Sequence, residues 1–323
     1  ARRSIVLLKN DQDMLPLSEA GGPIAVIGPL ADDKDTPLGN WRGQAEENSA
    51  ISLLEGLRAA VGNDRKILYA PGCVLSEDAW SFPQELNINE KDRSLIPEAV
   101  ALARRAERVI LVVGEDAQQS GEARSQVNIG LRGLQQELAR AVLQANPNTI
   151  VVLMNGRPLA VPELKEQAPA IVEAWHLGSQ AGHAIADVLL GKYNPSGKLP
   201  VSFPRHVGQC PLYYARKNTG RPESKGDVFW SHYTDESNEA LWPFGYGLSY
   251  TTFSYGPLKL STDQLRFDDS LQAELTLTNT GSRAGEEIVQ LYVRDLVGSV
   301  TRPVKELKGF RKIALQPGES QTV

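Results

Sequence analysis

The sequence contains few of the residues that bind metals or form crosslinks. Only two of its 323 residues are cysteine and four are histidine. Cys73 and Cys210 lie far apart and outside any CxxC pair, so we expect two separate buried thiols, with a disulfide left open for an oxidising compartment. No HxH or HExxH array is formed by the histidines, which are His176, His183, His206 and His232. We therefore predict no metal site and no cofactor.

Long apolar runs and an excess of positive charge are also absent. No run approaches the ~20 residues of a membrane-spanning helix, so no membrane association is predicted. With 34 Lys and Arg against 39 Asp and Glu the net charge is −5, which argues against nucleic acid as a partner. A composition that is 41% hydrophobic and 23% charged excludes disorder, collagen and coiled coil. The length indicates roughly two domains.

The first two hundred residues alternate between apolar strand-like runs and amphipathic segments. Strands are predicted at 24–29, 66–70, 108–114, 149–154 and 170–175. Helices are predicted at 52–61, 96–105, 133–146 and 182–190, and residues 1–10 resemble the tail of a helix that runs into a loop. This pattern favours an α/β fold with a mostly parallel sheet between helices. Ligands of such sheets bind beyond the carboxyl ends of the strands, so the loops after Ile27, Val113, Met154 and Trp175 are candidate sites.

The last third of the chain has a different pattern. From residue 194 to about 250 the sequence is rich in Pro, Gly, Tyr and Trp and loses its periodicity. From Phe253 apolar residues alternate with a period of two, as in an all-β sandwich. We therefore expect an α/β unit at 1–210, a connector at 211–252 and an all-β domain at 253–323. That domain is short of the ~100 residues of an immunoglobulin-like domain, so we expect it to be incomplete and the chain to be a fragment.

One candidate loop carries three carboxylates after a buried strand. Glu115, Asp116 and Glu122 follow the strand at 108–114. Glycoside hydrolysis needs one carboxylic acid to protonate the leaving oxygen and a second carboxylate as nucleophile or base. A solvated polar loop explains the same composition, and on composition alone it is the better explanation.

The Gly- and Pro-containing motifs are more distinctive than that loop. They are SIVLLKN (4–10), YAPGC (69–73), MNGRP (154–158), NPSGKLP (194–200) and WPFGYGLSYTTF (242–253). Together and in this order they resemble glycoside hydrolase family 3, and in particular its bacterial periplasmic β-glucosidases. Those enzymes have a (β/α)8-type barrel, an α/β sandwich and a fibronectin type III-like domain. The resemblance implies that this chain is the sandwich plus part of the third domain.

The resemblance also implies a retaining mechanism with two carboxylates. The nucleophile is an aspartate on the barrel, which would lie before residue 1. Glu122, in the segment SGEA (120–123), matches the acid/base glutamate, whereas Glu115 is expected to support the loop. The Arg and Asp that many relatives carry shortly afterwards are replaced here by SQVN (125–128).

Tryptophan faces could stack on sugar rings. Trp41 and Trp230 lie in polar loops and are the candidates for contact with the aglycone side of a substrate. Trp175 and Trp242 are expected to pack in the core.

The function that the resemblance implies is exo-hydrolysis of terminal, non-reducing β-D-glucosyl residues. The partners would be a β-linked oligosaccharide or glucoside and the barrel, and the location would be periplasmic or secreted. A β-xylosidase or broader exo-glycosidase of the same family, or a non-catalytic carbohydrate-binding module, stays open. A nucleotide-binding domain is disfavoured because no strand is followed by GxGxxG or a Walker A loop.

Overall fold

The computed structural model describes residues 1–77, 84–221, 223 and 226–323. In these residues the α-helices are α1 (Leu53–Val61), α2 (Ile96–Arg105), α3 (Gln135–Ala145), α4 (Pro162–Gln167) and α5 (Ala181–Leu189). The strands of the first part are β1 (Val6–Asn10), β2 (Ile24–Ile27), β3 (Ile67–Ala70), β4 (Arg108–Gly114), β5 (Thr149–Met154) and β6 (Ala170–Glu173). Those that follow are β7 (Phe253–Tyr255), β8 (Lys259–Leu260), β9 (Ala273–Glu274), β10 (Thr276–Asn279), β11 (Gly285–Val293), β12 (Glu306–Leu315) and β13 (Ser320–Thr322).

The first six strands form a single sheet in the order β1-β6-β5-β4-β2-β3. All neighbours are parallel except β1, which pairs antiparallel with β6. The central strands β2, β4 and β5 are buried over nearly their whole length. Continuous Val, Ile and Leu runs are required there because both faces of a parallel sheet are covered. The predicted α/β fold is confirmed.

Helices cover both faces of this sheet. α2, α3 and α4 pack on one face, with Val109, Leu111 and Val113 of β4 beneath them. α1 and α5 pack on the other face against Ile110 and Val112 of the same strand. Because alternate residues of β4 enter opposite cores, the strand ties the three layers together.

The first residues of the chain are not the tail of a helix, so that prediction is wrong. A short 3-10 turn at Arg2–Ser4 leads into β1, and Ile5 and Leu7 are fully buried. β1 pairs with β6 from Val6↔Glu173 to Asn10↔Ala170. A run of four apolar residues satisfies both a helix and a buried edge strand. The pairing with β6 decides in favour of the strand.

The last part of the chain is all-β, as predicted. Its sheets are β13-β10-β7, β11-β12 and β8-β9, and all their pairs are antiparallel. The core of this part is formed by Leu277, Val289, Ile313 and Leu315. Residues 211–252 contain no helix or strand where they are described, and isolated bridges such as Phe203↔Trp242 and Leu7↔Leu248 tie their end to the sandwich.

Both cysteines are free, and Cys73 is buried, but Cys210 is exposed because it follows a surface turn, so the expectation of two buried thiols is wrong for Cys210. Among the described residues, no helix has the length and apolar character to cross a bilayer.

Candidate active site at the carboxyl edge of the sheet

The three-carboxylate loop leaves the sheet at the carboxyl end of β4. Gly114 has φ +146° there, and a Cβ at this position would lie 2.0 Å from the carbonyl oxygen of Met154 on β5. The buried Gln135 side chain both accepts from the Gly114 N–H and donates to its carbonyl, each at 2.9 Å. The exit of the loop is therefore set by two neighbouring elements, β5 and α3.

Glu115, the first residue of the loop, is almost completely buried. Its Oε1 lies 2.8 Å from Nε of Arg157, which follows β5. Burial raises the pKa of Glu115, and the Arg157 guanidinium opposes that shift. An ionised carboxylate is retained inside a protein when it is paired in this way, so Glu115 and Arg157 form one structural unit.

Arg157 also contacts the loop further along. Its Nη2 donates to the carbonyl oxygen of Arg124 at 2.9 Å and to that of Gln119. Gln126 donates to the same Gln119 carbonyl at 2.8 Å. The two sides of the loop that flank residue 122 are thus tied to each other and to β5.

Glu122 lies at the tip of this loop and is exposed. The chain reverses around it through Gly121 (φ +105°) and Ala123 (φ +57°). Left-handed backbone at a residue with a Cβ is uncommon and costs about 1–2 kcal/mol, which indicates that the surrounding contacts determine the turn. Among the described residues, no hydrogen bond or ion pair engages the Glu122 carboxylate.

The inner side of the tip packs against two other edge loops. Gly121 adjoins the Asn40 side chain so closely that a Cβ would lie 2.5 Å from Asn40 Oδ1. Gly156 adjoins Ser120 and His176, with 3.1 Å from its ideal Cβ to His176 Nε2. Burial lowers the pKa of His176 to about 4, although the Thr36 backbone and the Asp33 charge oppose this. At neutral pH the imidazole is therefore uncharged.

Two further acids at this edge are shielded from solvent, Glu173 fully and Asp116 in part. Glu173, at the end of β6, is fully buried, and its oxygens accept from the N–H of Trp175 at 2.8 Å and from Nδ2 of Asn155 at 3.2 Å. Burial raises its pKa well above the usual range. Burial also raises the pKa of Asp116 to about 6. Of the four carboxyl groups Glu115, Asp116, Glu122 and Glu173, Glu122 is thus the exposed one.

Residues 5–250 match the model of the glycosyl hydrolase family 3 C-terminal domain, and residues 287–323 match that of a fibronectin type III-like domain. The chain belongs to glycoside hydrolase family 3.

Relatives match the family 3 chain over its whole length. A protein named periplasmic beta-glucosidase from Salmonella typhimurium is 46% identical, and a beta-xylosidase from Formosa agariphila is 40% identical. Each match covers 100% of this chain and 43% of the relative. The chain therefore spans less than half the length of these relatives.

Solved structures of two β-glucosidases share the fold of this chain. A β-glucosidase from Erythrobacter marinus superposes with a TM-score of 0.89 at 38% identity, covering 100% of this chain and 43% of that one. A β-glucosidase from Listeria innocua in complex with isofagomine superposes with a TM-score of 0.87 at 38% identity, covering 99% of this chain and 42% of that one.

In this family 3 chain the two candidate tryptophans lie in different places. Trp41 is 72% exposed and follows Asn40, which contacts the Glu122 loop. Trp230 stacks on His232 with ring centroids 4.1 Å apart, beside a cavity of about 500 Å³ that Arg216 and Arg294 also line. No lining residue of that cavity comes from the Glu122 loop. The structure thus brings Trp41, but not Trp230, next to the loop that carries Glu122.

The other two tryptophans pack as expected. Trp242 is 2% exposed, and Trp175 is partly buried. Both lie edge-on to Phe203, with centroids 5.9 Å away. Trp80 lies outside the described residues.

Sequence reasoning missed several members of the site. In the sequence Arg157 stands out only as part of the MNGRP motif and Asn40 only beside Trp41, and neither Glu173 nor His176 carries a local signal of a site. What they share is position at the carboxyl edge of the sheet, where Glu173 ends β6 and the other three lie on loops that follow strands. Among the described residues, no group of three or more His, Cys, Asp or Glu side chains is placed to bind a metal ion.

Proposed function

We propose that this chain is the acid/base-bearing part of a retaining β-glucosidase, with Glu122 as the acid/base. The observation that carries the proposal is an exposed carboxylate at the tip of a loop whose flanks are anchored, at the carboxyl edge of a family 3 sheet. The names of the relatives from Salmonella, Erythrobacter and Listeria support the glucosidase assignment.

The chemistry divides between this chain and a barrel outside it. A barrel aspartate attacks the anomeric carbon, and Glu122 donates its proton to the departing glycosidic oxygen. Glu122 then removes a proton from water, which cleaves the glycosyl-enzyme and releases glucose with retained configuration. The buried Glu115 cannot take this role because it is paired with Arg157.

A chimera tests this assignment. The chain would replace the matching region of the Salmonella relative, and the product would be assayed with 4-nitrophenyl β-D-glucoside. We expect hydrolysis by the chimera and a loss of about 10²- to 10⁴-fold in Glu122→Ala, the range of general acid–base catalysis.

Rescue by azide shows whether the Glu122→Ala variant is inactive because it lacks the acid/base or because its fold is damaged. With 2,4-dinitrophenyl β-D-glucoside the leaving group needs no protonation, so Glu122→Ala should still form the glycosyl-enzyme. Azide needs no general base and should restore turnover and give β-glucosyl azide. Full activity of Glu122→Ala would refute the assignment. So would an inactive Glu122→Ala whose turnover azide does not restore, if azide does restore the turnover of Glu115→Ala.

A β-xylosidase is the second candidate, because the Formosa relative bears that name. Comparison of kcat/KM for 4-nitrophenyl β-D-glucoside and β-D-xyloside in the native full-length enzyme distinguishes the two. A non-catalytic carbohydrate-binding module predicts instead that the chain alone binds cellobiose tightly in calorimetry. Half of a site should bind it weakly.

A periplasmic location is proposed from the name of the Salmonella relative. Fractionation of the source cells tests it, since glucosidase activity should appear in the osmotic-shock fluid.

A further inference from the structure

One guanidinium touches both sides of the loop that carries Glu122. Nη2 of Arg157 donates to the carbonyl of Gln119 on the entering side and to that of Arg124 on the leaving side. Glu122 lies between these two carbonyls in sequence. A single nitrogen atom of Arg157 therefore bridges the two sides of the turn, which a backbone hydrogen bond from Arg124 N–H to the Gly121 carbonyl also closes.

Arg157 is itself held by residues at the ends of the buried strands. Its Nε lies 2.8 Å from the buried Glu115 carboxylate, and its own carbonyl accepts from Nδ2 of Asn155 at 2.8 Å. Asn155 also donates to the fully buried Glu173. These contacts connect the loop to the ends of β4, β5 and β6, which are buried strands at the centre of the sheet.

Gln126 gives the loop a second tie. Its Nε2 donates to the Gln119 carbonyl at 2.8 Å, and its Oε1 accepts from Nη1 of Arg132 at 3.3 Å. The Gln119 carbonyl thus accepts hydrogen bonds from the side chains of Arg157 and Gln126, which together hold it in place.

We propose that Arg157 is a positioning residue that holds the Glu122 carboxylate at the distance from the glycosidic oxygen that proton transfer requires, with Glu115 holding Arg157. The proposal rests on the proposed acid/base role of Glu122. Proton transfer depends steeply on geometry, and a displacement of 1 Å can cost about 100-fold in rate.

The contacts require arginine rather than lysine. Nε lies 2.8 Å from the Glu115 carboxylate while Nη2 donates to two carbonyls, so one planar guanidinium contacts all three partners at once. The lysine ammonium group, at the end of a flexible chain, can contact one of these partners, but it cannot fix the distance between them. Arg157→Lys should therefore keep the charge and lose the positioning.

The first test needs no catalysis. Arg157→Met alone would leave Glu115 buried and unpaired, so the decisive variant is Glu115→Gln/Arg157→Met in the full 323-residue chain. We expect amide hydrogen exchange in 119–126 to become about 10-fold faster or more, while β4 and β5 stay protected. The matched control is Arg140→Met/Glu163→Gln, which removes an exposed pair 2.6 Å apart and should leave this loop unchanged.

The second test uses the chimera and the leaving group. If Glu122 is displaced, kcat/KM should fall about 10- to 100-fold for phenyl β-D-glucoside, which needs the acid. It should fall less than about 3-fold for 2,4-dinitrophenyl β-D-glucoside, which does not. Arg157→Lys should show the same split with KM nearly unchanged.

The outcomes are distinct. Unchanged exchange in 119–126 would overturn the positioning role whatever the activity. Faster exchange with an equal fall for both glucosides would also overturn it, because that result indicates general loss of the site. Failure of Glu122→Ala to behave as an acid/base variant would instead refute the proposed function and leave the exchange result standing.

Discussion

The carboxyl groups of one short loop differ mainly in their surroundings. Glu115 is buried against a guanidinium, Asp116 is largely buried and accepts from backbone N–H groups, and Glu122 is exposed. Desolvation favours the neutral acid, whereas pairing favours the carboxylate. Seven residues of chain thus separate a buried ion pair from a solvent-exposed carboxyl group.

Because Asp116 is largely buried, we expect the free energy of unfolding to depend measurably on pH. Burial raises its pKa from 3.8 to about 6, so between these values the folded state binds a proton that the unfolded state does not. The free energy of unfolding should therefore fall as pH rises through this window. Asp116→Asn keeps the acceptor for the N–H groups of Gln118 and Gln119. It should be more stable above pH 6 by on the order of 2 kcal/mol and equal near pH 4.

Urea unfolding at pH 4 and pH 7.5 measures this difference. Asp92→Asn is the control of opposite sign, because the Ser94 hydroxyl and N–H lower the pKa of Asp92. Its stabilising carboxylate is present above pH 4, so the variant should lose stability there. A gain in both variants would contradict the assignment of Asp116 as a desolvated acid.

Single residues could be predicted only where the chain itself gives the signal. Glu122 follows a buried strand and lies in a family motif, so its placement in a loop at the edge was foreseeable, and its catalytic role stays a prediction. Arg157 contacts a carbonyl 38 residues away in sequence. Nothing local marks such a contact, because the packing of β4 beside β5 creates it.

At the level of elements, the helices with clear periodicity and the buried parallel strands were predicted well, including the four-residue strands β2, β3 and β6, whereas α4 and β1 were not. α1 begins as predicted, with Ser52 and Glu55 forming a reciprocal capping box. α4 has six residues and no strong periodicity, so it was missed. β1 was mistaken for a helix because its apolar run has no alternation when both faces are buried.

The contact between α1 and α5 predicts an unusual effect of alanine. A Cβ on Gly182 would lie 1.9 Å from the carbonyl oxygen of Ser52, at the start of α1. Helix propensity alone predicts that Gly182→Ala stabilises α5 by about 1 kcal/mol. Because backbone would have to move, we expect destabilisation of about 3 kcal/mol instead.

The change in stability of Gly182→Ala is measured by thermal unfolding, monitored by circular dichroism. Gly309→Ala on β12 is the control, since a Cβ there meets no atom within 4 Å. A higher melting temperature for Gly182→Ala would mean that the two helices are further apart than described.

On the scale of the whole molecule, Glu286 on β11 links the all-β part to the sandwich. Its carboxylate accepts from Arg3 at 2.7 Å, from the Tyr193 hydroxyl at 2.9 Å and from the Ser196 hydroxyl at 3.2 Å. Lys312 on β12 lies 3.2 Å away. Four groups from distant parts of the chain thus share one carboxylate. The domain boundaries at 210 and 252 stay a prediction.

Removal of that carboxylate should uncouple the two parts. Glu286→Ala leaves two partly buried hydroxyl groups without their acceptor, at a cost of about 1–3 kcal/mol. We expect the single calorimetric transition to broaden or split, with the all-β part unfolding first. Glu306→Ala, which loses only a partly exposed pair with Lys308, should change stability by less than about 0.5 kcal/mol. Equal effects of the two substitutions would count against the link.

The pairing of β1 with β6 has a consequence for biosynthesis. β1 leaves the ribosome about 160 residues before its partner, which at about 5–20 residues per second is a delay of some ten to thirty seconds. Until then the apolar segment at residues 5–8 has no strand to join, and exposed segments of this kind aggregate or recruit chaperones. The sheet is completed by the strand that is synthesised before its other five strands, so residues 5–8 need protection until β6 has been synthesised.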